Sequence, residues 1–236
     1  MGYSPMFYPM FDRTWIFLIP GLLLGLYAQM RLKTAFGQYR QIRTRRGWTG
    51  EAVARDILNR HGLQEVRIEA TSGMLSDHYD PRSKVLRLSS SVFGETSIAA
   101  VSVAAHEVGH ALQDQEGYGL LRLRNALVPT AQVGSQLAFL FVFLGLVSGA
   151  LDFLIPVGIA LFSVAVVFQL VTLPVEYDAS HRAEIALQQG GYVTDEELRG
   201  THAVLSAAAL TYVAALVSAI GSFLRLLAIS RGGRRE

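Results

Sequence analysis

Val101-Ser102-Val103-Ala104-Ala105-His106-Glu107-Val108-Gly109-His110 sets two imidazoles and a carboxylate inside an otherwise apolar run. Ser97 stands ahead of it as an N-cap and Gly117 beyond Gln115 as a stop, which predicts a helix from Ile98 to about Gln115. The helix is apolar almost all round through Ala105 and so belongs in a core. His106 and His110 are four residues apart and share one helix face, one turn from each other. Two imidazoles placed in this way can share one zinc ion at about 2.0–2.1 Å each. Glu107 projects beside such an ion, where a base can take a proton from water on the metal. The plainer alternative is two surface histidines flanking a solvated Glu. The apolar turns before them argue against it, because burying these groups without partners is costly.

A catalytic zinc takes three protein ligands and keeps one position open. The chain has no Cys, so the third ligand must be His, Asp or Glu. The same absence excludes a disulfide scaffold, a Cys-based zinc site and a thiol nucleophile. Finding the third ligand requires locating the membrane. Of the 236 residues 51% are apolar and 17% charged, against about 25% charged in a soluble domain. The deficit is concentrated in three blocks: Thr14 to Met30 and Ala203 to Leu224, which are uncharged, and Val133 to Leu173, where Asp152 is the one charge. A span takes about 20 residues, so the middle block predicts a helical hairpin turning at Asp152, and the chain reads as four spans. For the last block a buried soluble helix is the alternative. The first block reads as an uncleaved anchor, since Leu26 to Met30 makes a poor signal-peptide cleavage site.

Fourteen of the 21 Lys and Arg residues lie between Arg31 and Arg124, which places that stretch in the cytoplasm and the N-terminus outside. Four spans then place the C-terminus outside as well, in tension with Arg225, Arg231, Arg234 and Arg235. The hairpin brings the chain back at Pro174 to the side that holds His106. Glu176, Asp178 and His181 follow immediately. Glu176 is the expected third ligand. His181 is the alternative ligand, or a catalytic donor to the oxyanion, and Asp178 reads as a surface charge. His61 and His202 read as cap or surface residues. His78 stays open, because it precedes the metal helix on a hairpin.

Between the first two spans, Arg31 to Gln41 continues the first helix, and Thr49 caps a helix running to His61 with Gly62 as its stop. Gln64 to Ala70 reads as a strand. Leu75 to Asp80 and Lys84 to Ser89 read as a hairpin around Pro81-Arg82-Ser83. The arm Val85 to Ser89 is expected to align an extended substrate by edge pairing. The fold class is thus a mostly α integral membrane protein of about four transmembrane helices with a small cytoplasmic α+β unit. Its parts are 1–30 (first span), 31–126 (zinc helix and sheet), 127–174 (hairpin), 175–202 (third ligand) and 203–236 (last span and basic tail). The implied partners are the lipid bilayer and a peptide or membrane-protein substrate. A net charge of only +2 does not indicate nucleic acid. Two other readings compete. A non-catalytic zinc scaffold would close the site with a fourth ligand such as His181. A transporter would need ionisable groups within its spans.

Several stretches together resemble the YugP-like membrane zinc metallopeptidases. They are Ser76 to Pro81, Leu86 to Ser89, Val103 to Gln113 and Leu173 to Ala183. The resemblance implies a zincin-like unit, a zinc cofactor and a peptidase at the cytoplasmic face of the bacterial inner membrane. More distantly the chain is similar to the HtpX and CAAX-prenyl-protease group. In that group a Glu binds zinc, and an Asp four residues later braces a histidine ligand. Glu176 matches that Glu, but position 180 is Ser, which leaves the brace to another carboxylate, with Asp178 as the candidate.

Overall fold

The computed structural model describes residues 13–73 and 76–232. The approach to the first span before Arg13, the start of the hairpin at Leu75, and Arg234 and Arg235 of the basic tail lie outside the described residues. The elements are α1 (Ile19–Arg40), α2 (Gly50–Arg60), β1 (Arg67–Thr71), β2 (His78–Asp80), β3 (Val85–Ser89), α3 (Ile98–Gln115), α4 (Gly119–Val147), α5 (Leu154–Gln189) and α6 (Asp195–Gly232). Local chemistry sets most of their ends. The Thr49 side chain accepts from Ala52 N and starts α2, and Gly62, at φ 75°, lets the chain leave it. Ser97 accepts from Ala100 N and starts α3. Gly117, at φ 67°, turns the chain so that Tyr118 N donates to Gln113 O and closes that helix. A capping box starts α6: Glu197 N donates to Thr194 Oγ1, and Thr194 N donates to Glu197 Oε2.

The chain forms two compact units, Ala28–Arg122 with Leu173–Thr211, and Met1–Tyr27 with Leu123–Thr172 and Tyr212–Glu236. In the first, one apolar core joins Val53, Ile57 and Leu58 of α2, Leu86 and Leu88 of β3, and Val101, Ala104 and Val108 of α3. Ala183 and Leu187 of α5 and Leu205 of α6 complete it. The sheet runs in the order β1-β3-β2, with β3 parallel to β1 and antiparallel to β2. This corrects the expectation that Val85 to Ser89 offers an edge to substrate. Strand β3 is hydrogen-bonded on both sides and its Val85, Leu86 and Leu88 are buried, whereas β2 lies at the edge.

The second unit is helical. Among the described residues three helices are long and apolar enough to cross a membrane: Gly119–Val147, Leu154–Gln189 and Asp195–Arg231. Helix α1, expected as a fourth, is not among them, because Arg31, Lys33 and Arg40 occupy its second half. The predicted turn at Asp152 lies between α4 and α5, where a short 3-10 segment spans Gly149–Leu151. Small residues let backbones approach within this unit. A Cβ at Gly158 would stand 2.7 Å from Ala138 O, and one at Gly21 would stand 2.6 Å from Ser218 Oγ. Leu22, Phe139, Phe143, Phe153 and Val167 point outward and are exposed, as side chains facing lipid would be.

Candidate metal centre

Helix α3 carries two working stripes. His106, His110 and Gln113 are spaced i, i+4, i+7 and share one face; Glu107 and Asp114, seven residues apart, share the face about 100° further round. The first stripe meets α5. Helix α5 runs unbroken through Pro174, whose missing N–H deprives only the Leu170 carbonyl of its helical partner. Contact between the two helices depends on Gly109. A Cβ there would stand 2.5 Å from Ala179 O, so a larger residue would push α5 away.

This close approach brings Glu176 to the histidines. Its Oε2 lies 3.3 Å from His106 Nε2 and 3.6 Å from His110 Nε2. The ligand atoms of all three residues lie within 4.8 Å of one another. The Glu176 side chain is 1% exposed, and those of His106 and His110 are 14% and 10% exposed. The spacing fits zinc. Two ligands on tetrahedral arms of about 2.0–2.1 Å stand roughly 3.3–3.4 Å apart. The donor set of two imidazole nitrogens and one carboxylate oxygen is also one that zinc takes.

The far sides of both rings are held. His110 Nδ1 is 2.9 Å from Gln113 Oε1. The Gln113 amide donates to Val175 O and Asp178 Oδ2, each at 2.8 Å, so its oxygen is the atom turned to the ring and Nδ1 must carry the proton. Nε2 of a neutral His110 then presents its lone pair to the cluster. On the other ring, His106 Nδ1 shares a hydrogen bond of 3.2 Å with Ser180 Oγ. Ser180 thus occupies the place of the altered brace. Asp178, the expected replacement, reaches no histidine directly and acts on Gln113 instead.

The second stripe meets the edge strand. Tyr79 N donates to Glu107 Oε2 at 3.1 Å, which holds the carboxylate beside the histidines. Two turns further along, Asp114 accepts from the Tyr79 phenol at 2.9 Å and from Lys84 Nζ at 2.5 Å. Burial first, then the adjacent Asp114 carboxylate, push the Tyr79 phenol above its ordinary pKa, so it remains a donor.

The other candidates lie apart from this cluster. His181 is exposed, and five positions beyond Glu176 it stands about 140° round α5. His78 is exposed on the edge strand, with its ring on Ser76 O and Arg87. His61 caps α2, and His202 pairs with Glu184. The spacing of His106, Glu107 and His110 made them legible from sequence. Gln113 was not singled out, although its place three residues beyond His110 on the same face was the available signal.

The family model described as "Putative neutral zinc metallopeptidase" matches residues 14–231. The chain is 47% identical over 222 residues to the "Putative membrane protease YugP" of Bacillus subtilis (strain 168), covering 94% of this chain and 98% of that relative. No solved structure matches the chain. A family match over nearly the whole length, together with part-buried His106 and buried His110 and Glu176 at zinc-ligand spacing, makes this chain a member of the family described as "Putative neutral zinc metallopeptidase", in its YugP-like branch.

Proposed function

We propose that the protein is a zinc-dependent endopeptidase of the bacterial inner membrane, with its site at the cytoplasmic face. His106, His110 and Glu176 would hold the metal. One observation carries the reading: two imidazole nitrogens directed at a buried carboxylate at 3.3 and 3.6 Å, with a second carboxylate held on the adjacent stripe of the same helix. Bound zinc supplies a Lewis acid that acidifies water and polarises a carbonyl. Glu107 takes the proton from the attacking water and delivers it to the leaving amine as the scissile bond breaks. The Tyr79 N–H keeps the Glu107 carboxylate oriented for both transfers. The proton on His110 Nδ1, facing Gln113, keeps its Nε2 available as a ligand, and the Ser180 hydroxyl can accept from His106 Nδ1 to do the same for the other ring.

The cluster has three members among the described residues, and His181 stands away from it. That supports an open fourth position, hence catalysis, over a closed scaffold. The exposed His181 takes no step in this mechanism. The basic stretch from Arg31 to Arg124 supports the cytoplasmic orientation, and the bilayer and a peptide or membrane-protein substrate are the proposed partners. The test compares zinc content and cleavage of an unstructured protein by wild type and Glu107→Gln, purified in detergent. Glu107→Gln is expected to keep its zinc and lose turnover by about 10²–10⁴-fold. Cleavage at the wild-type rate would remove Glu107 as the base.

A further inference from the structure

An amide oxygen faces His110 Nδ1 and a hydroxyl faces His106 Nδ1, and the amide behind His110 is held by a chain of side chains that crosses between α3 and α5. Gln113 is fully buried. Its oxygen faces His110 Nδ1, and its two amide hydrogens are taken by Val175 O and Asp178 Oδ2. The same Asp178 oxygen accepts from Arg182 Nε at 2.6 Å. The other arm of that guanidinium reaches back to α3, where Arg182 Nη1 donates to Glu116 Oε1 at 2.7 Å. His110 and Gln113 on α3 and Glu116 at its C-cap follow one another at intervals of three residues. Val175, Asp178 and Arg182 are their counterparts on α5, the helix that presents Glu176.

We propose that Gln113 is the positioning residue for the metal, and that Asp178 and Arg182 act on the metal only through it, a step that rests on the zinc reading above. The chain does two things. It fixes the tautomer of His110, since an amide whose hydrogens are both committed can present only its oxygen to the ring. It also ties the helix carrying His106 and His110 to the helix carrying Glu176, so the three ligands are presented as one preformed set. Arg182 suits this task because its planar fork donates in two fixed directions, which an ammonium cannot reproduce. The neutral amide has a chemical consequence as well. A carboxylate behind a ligating imidazole raises its basicity. Here the Asp178 charge is one residue removed, and a hydroxyl stands behind His106, so the rings donate less strongly and the metal they hold stays more electrophilic.

The test measures the zinc dissociation constant of the full-length protein in detergent by chelator competition, with thermal melting and cleavage kinetics alongside. Gln113→Leu is expected to weaken zinc by about tenfold or more, the usual cost of losing a group behind a ligand. Gln113→Glu alone sets a carboxylate against Asp178 and is expected to weaken zinc likewise. Combined with Asp178→Asn, which again provides a donor facing the new carboxylate, it is expected to recover most of that loss. Arg182→Lys is expected to behave like a partial loss, without recovery. Recovery in the paired variant is the readout that a packing role would not produce. Equal zinc affinity in all variants, or losses that add without recovery, would overturn the proposal. A wild-type protein that binds no zinc would instead overturn the metal reading itself.

Discussion

At position 109 two effects oppose each other. Alanine is the better helix former by about 0.8–1 kcal/mol, yet its Cβ would stand 2.5 Å from the Ala179 carbonyl. Overpacking against backbone costs about 1–3 kcal/mol, and here it also moves α5 and Glu176 with it. Gly109→Ala is therefore expected to lower thermal stability and to raise the zinc dissociation constant about tenfold, measured by metal titration; unchanged zinc affinity would show that the close approach does not set the ligand spacing. His181 provides the contrast. Exposed and round the helix from Glu176, it should tolerate His181→Ala with zinc content and turnover kept within about twofold, the scale of a surface change. A hundredfold loss of turnover at intact zinc content would restore it as an oxyanion donor. The residues the sequence brought forward were those whose signal lies in helix spacing or in the hydropathy pattern. His106, Glu107 and His110 are defined by helix spacing alone, and Glu176 by the return of the hairpin. Gln113 and Ser180 carry no distinctive chemistry in one dimension. They become visible only when α3 and α5 lie side by side.

Among the elements, the short edge strand β2 carries more than its three residues suggest, because it is fastened to α3 at two points along one stripe, Glu107 and Asp114. Tyr79→Phe removes the phenol bond to Asp114, which keeps Lys84. The expected cost is about 0.5–1.5 kcal/mol of stability in thermal melts, with zinc content unchanged. The turn after β2 adds a pH signature. Asp80 accepts from the Ser83 hydroxyl and from Arg82 N, which hold its carboxyl below the ordinary value against a small opposing effect of burial. A lowered native pKa means stability that is present above the ordinary carboxylate range and lost as pH falls through the native value. Asp80→Asn should then cost about 1 kcal/mol at neutral pH, and the gap to wild type should close in acid, as melting curves at several pH values would reveal. Element ends were readable for the same reason that they are stable: Thr49, Ser97, Gly62 and Gly117 act within a few residues of themselves. The parallel pairing of β1 with β3 was not, since it joins segments across an intervening strand, and no alternation pattern distinguishes a central strand from an edge.

For the whole molecule, the orientation of the apolar helices decides which side of the membrane the site faces. Three helices qualify by length and composition, and α1 has an apolar stretch only from Ile19 to Met30 before Arg31. Within the helical unit, however, the start of α1 packs on the end of α6. Gly21 faces Ser218, Arg225 donates to Thr14 Oγ1, and its guanidinium lies 4.7 Å from the centre of the Trp15 ring. A Trp and an Arg stacked at a helix end are what a membrane interface favours. With the proposed cytoplasmic site and a crossing by α4, the turn at Asp152 is expected on the outer face and β1 on the inner one. The natural absence of Cys makes the prediction direct to measure. Asp152→Cys, in the turn between α4 and α5, should react with a membrane-impermeant maleimide on intact cells, whereas Ala70→Cys, exposed on β1, should react only after permeabilisation. Labelling of both in intact cells would contradict a crossing by α4, and the reverse pattern would move the peptidase to the outer face.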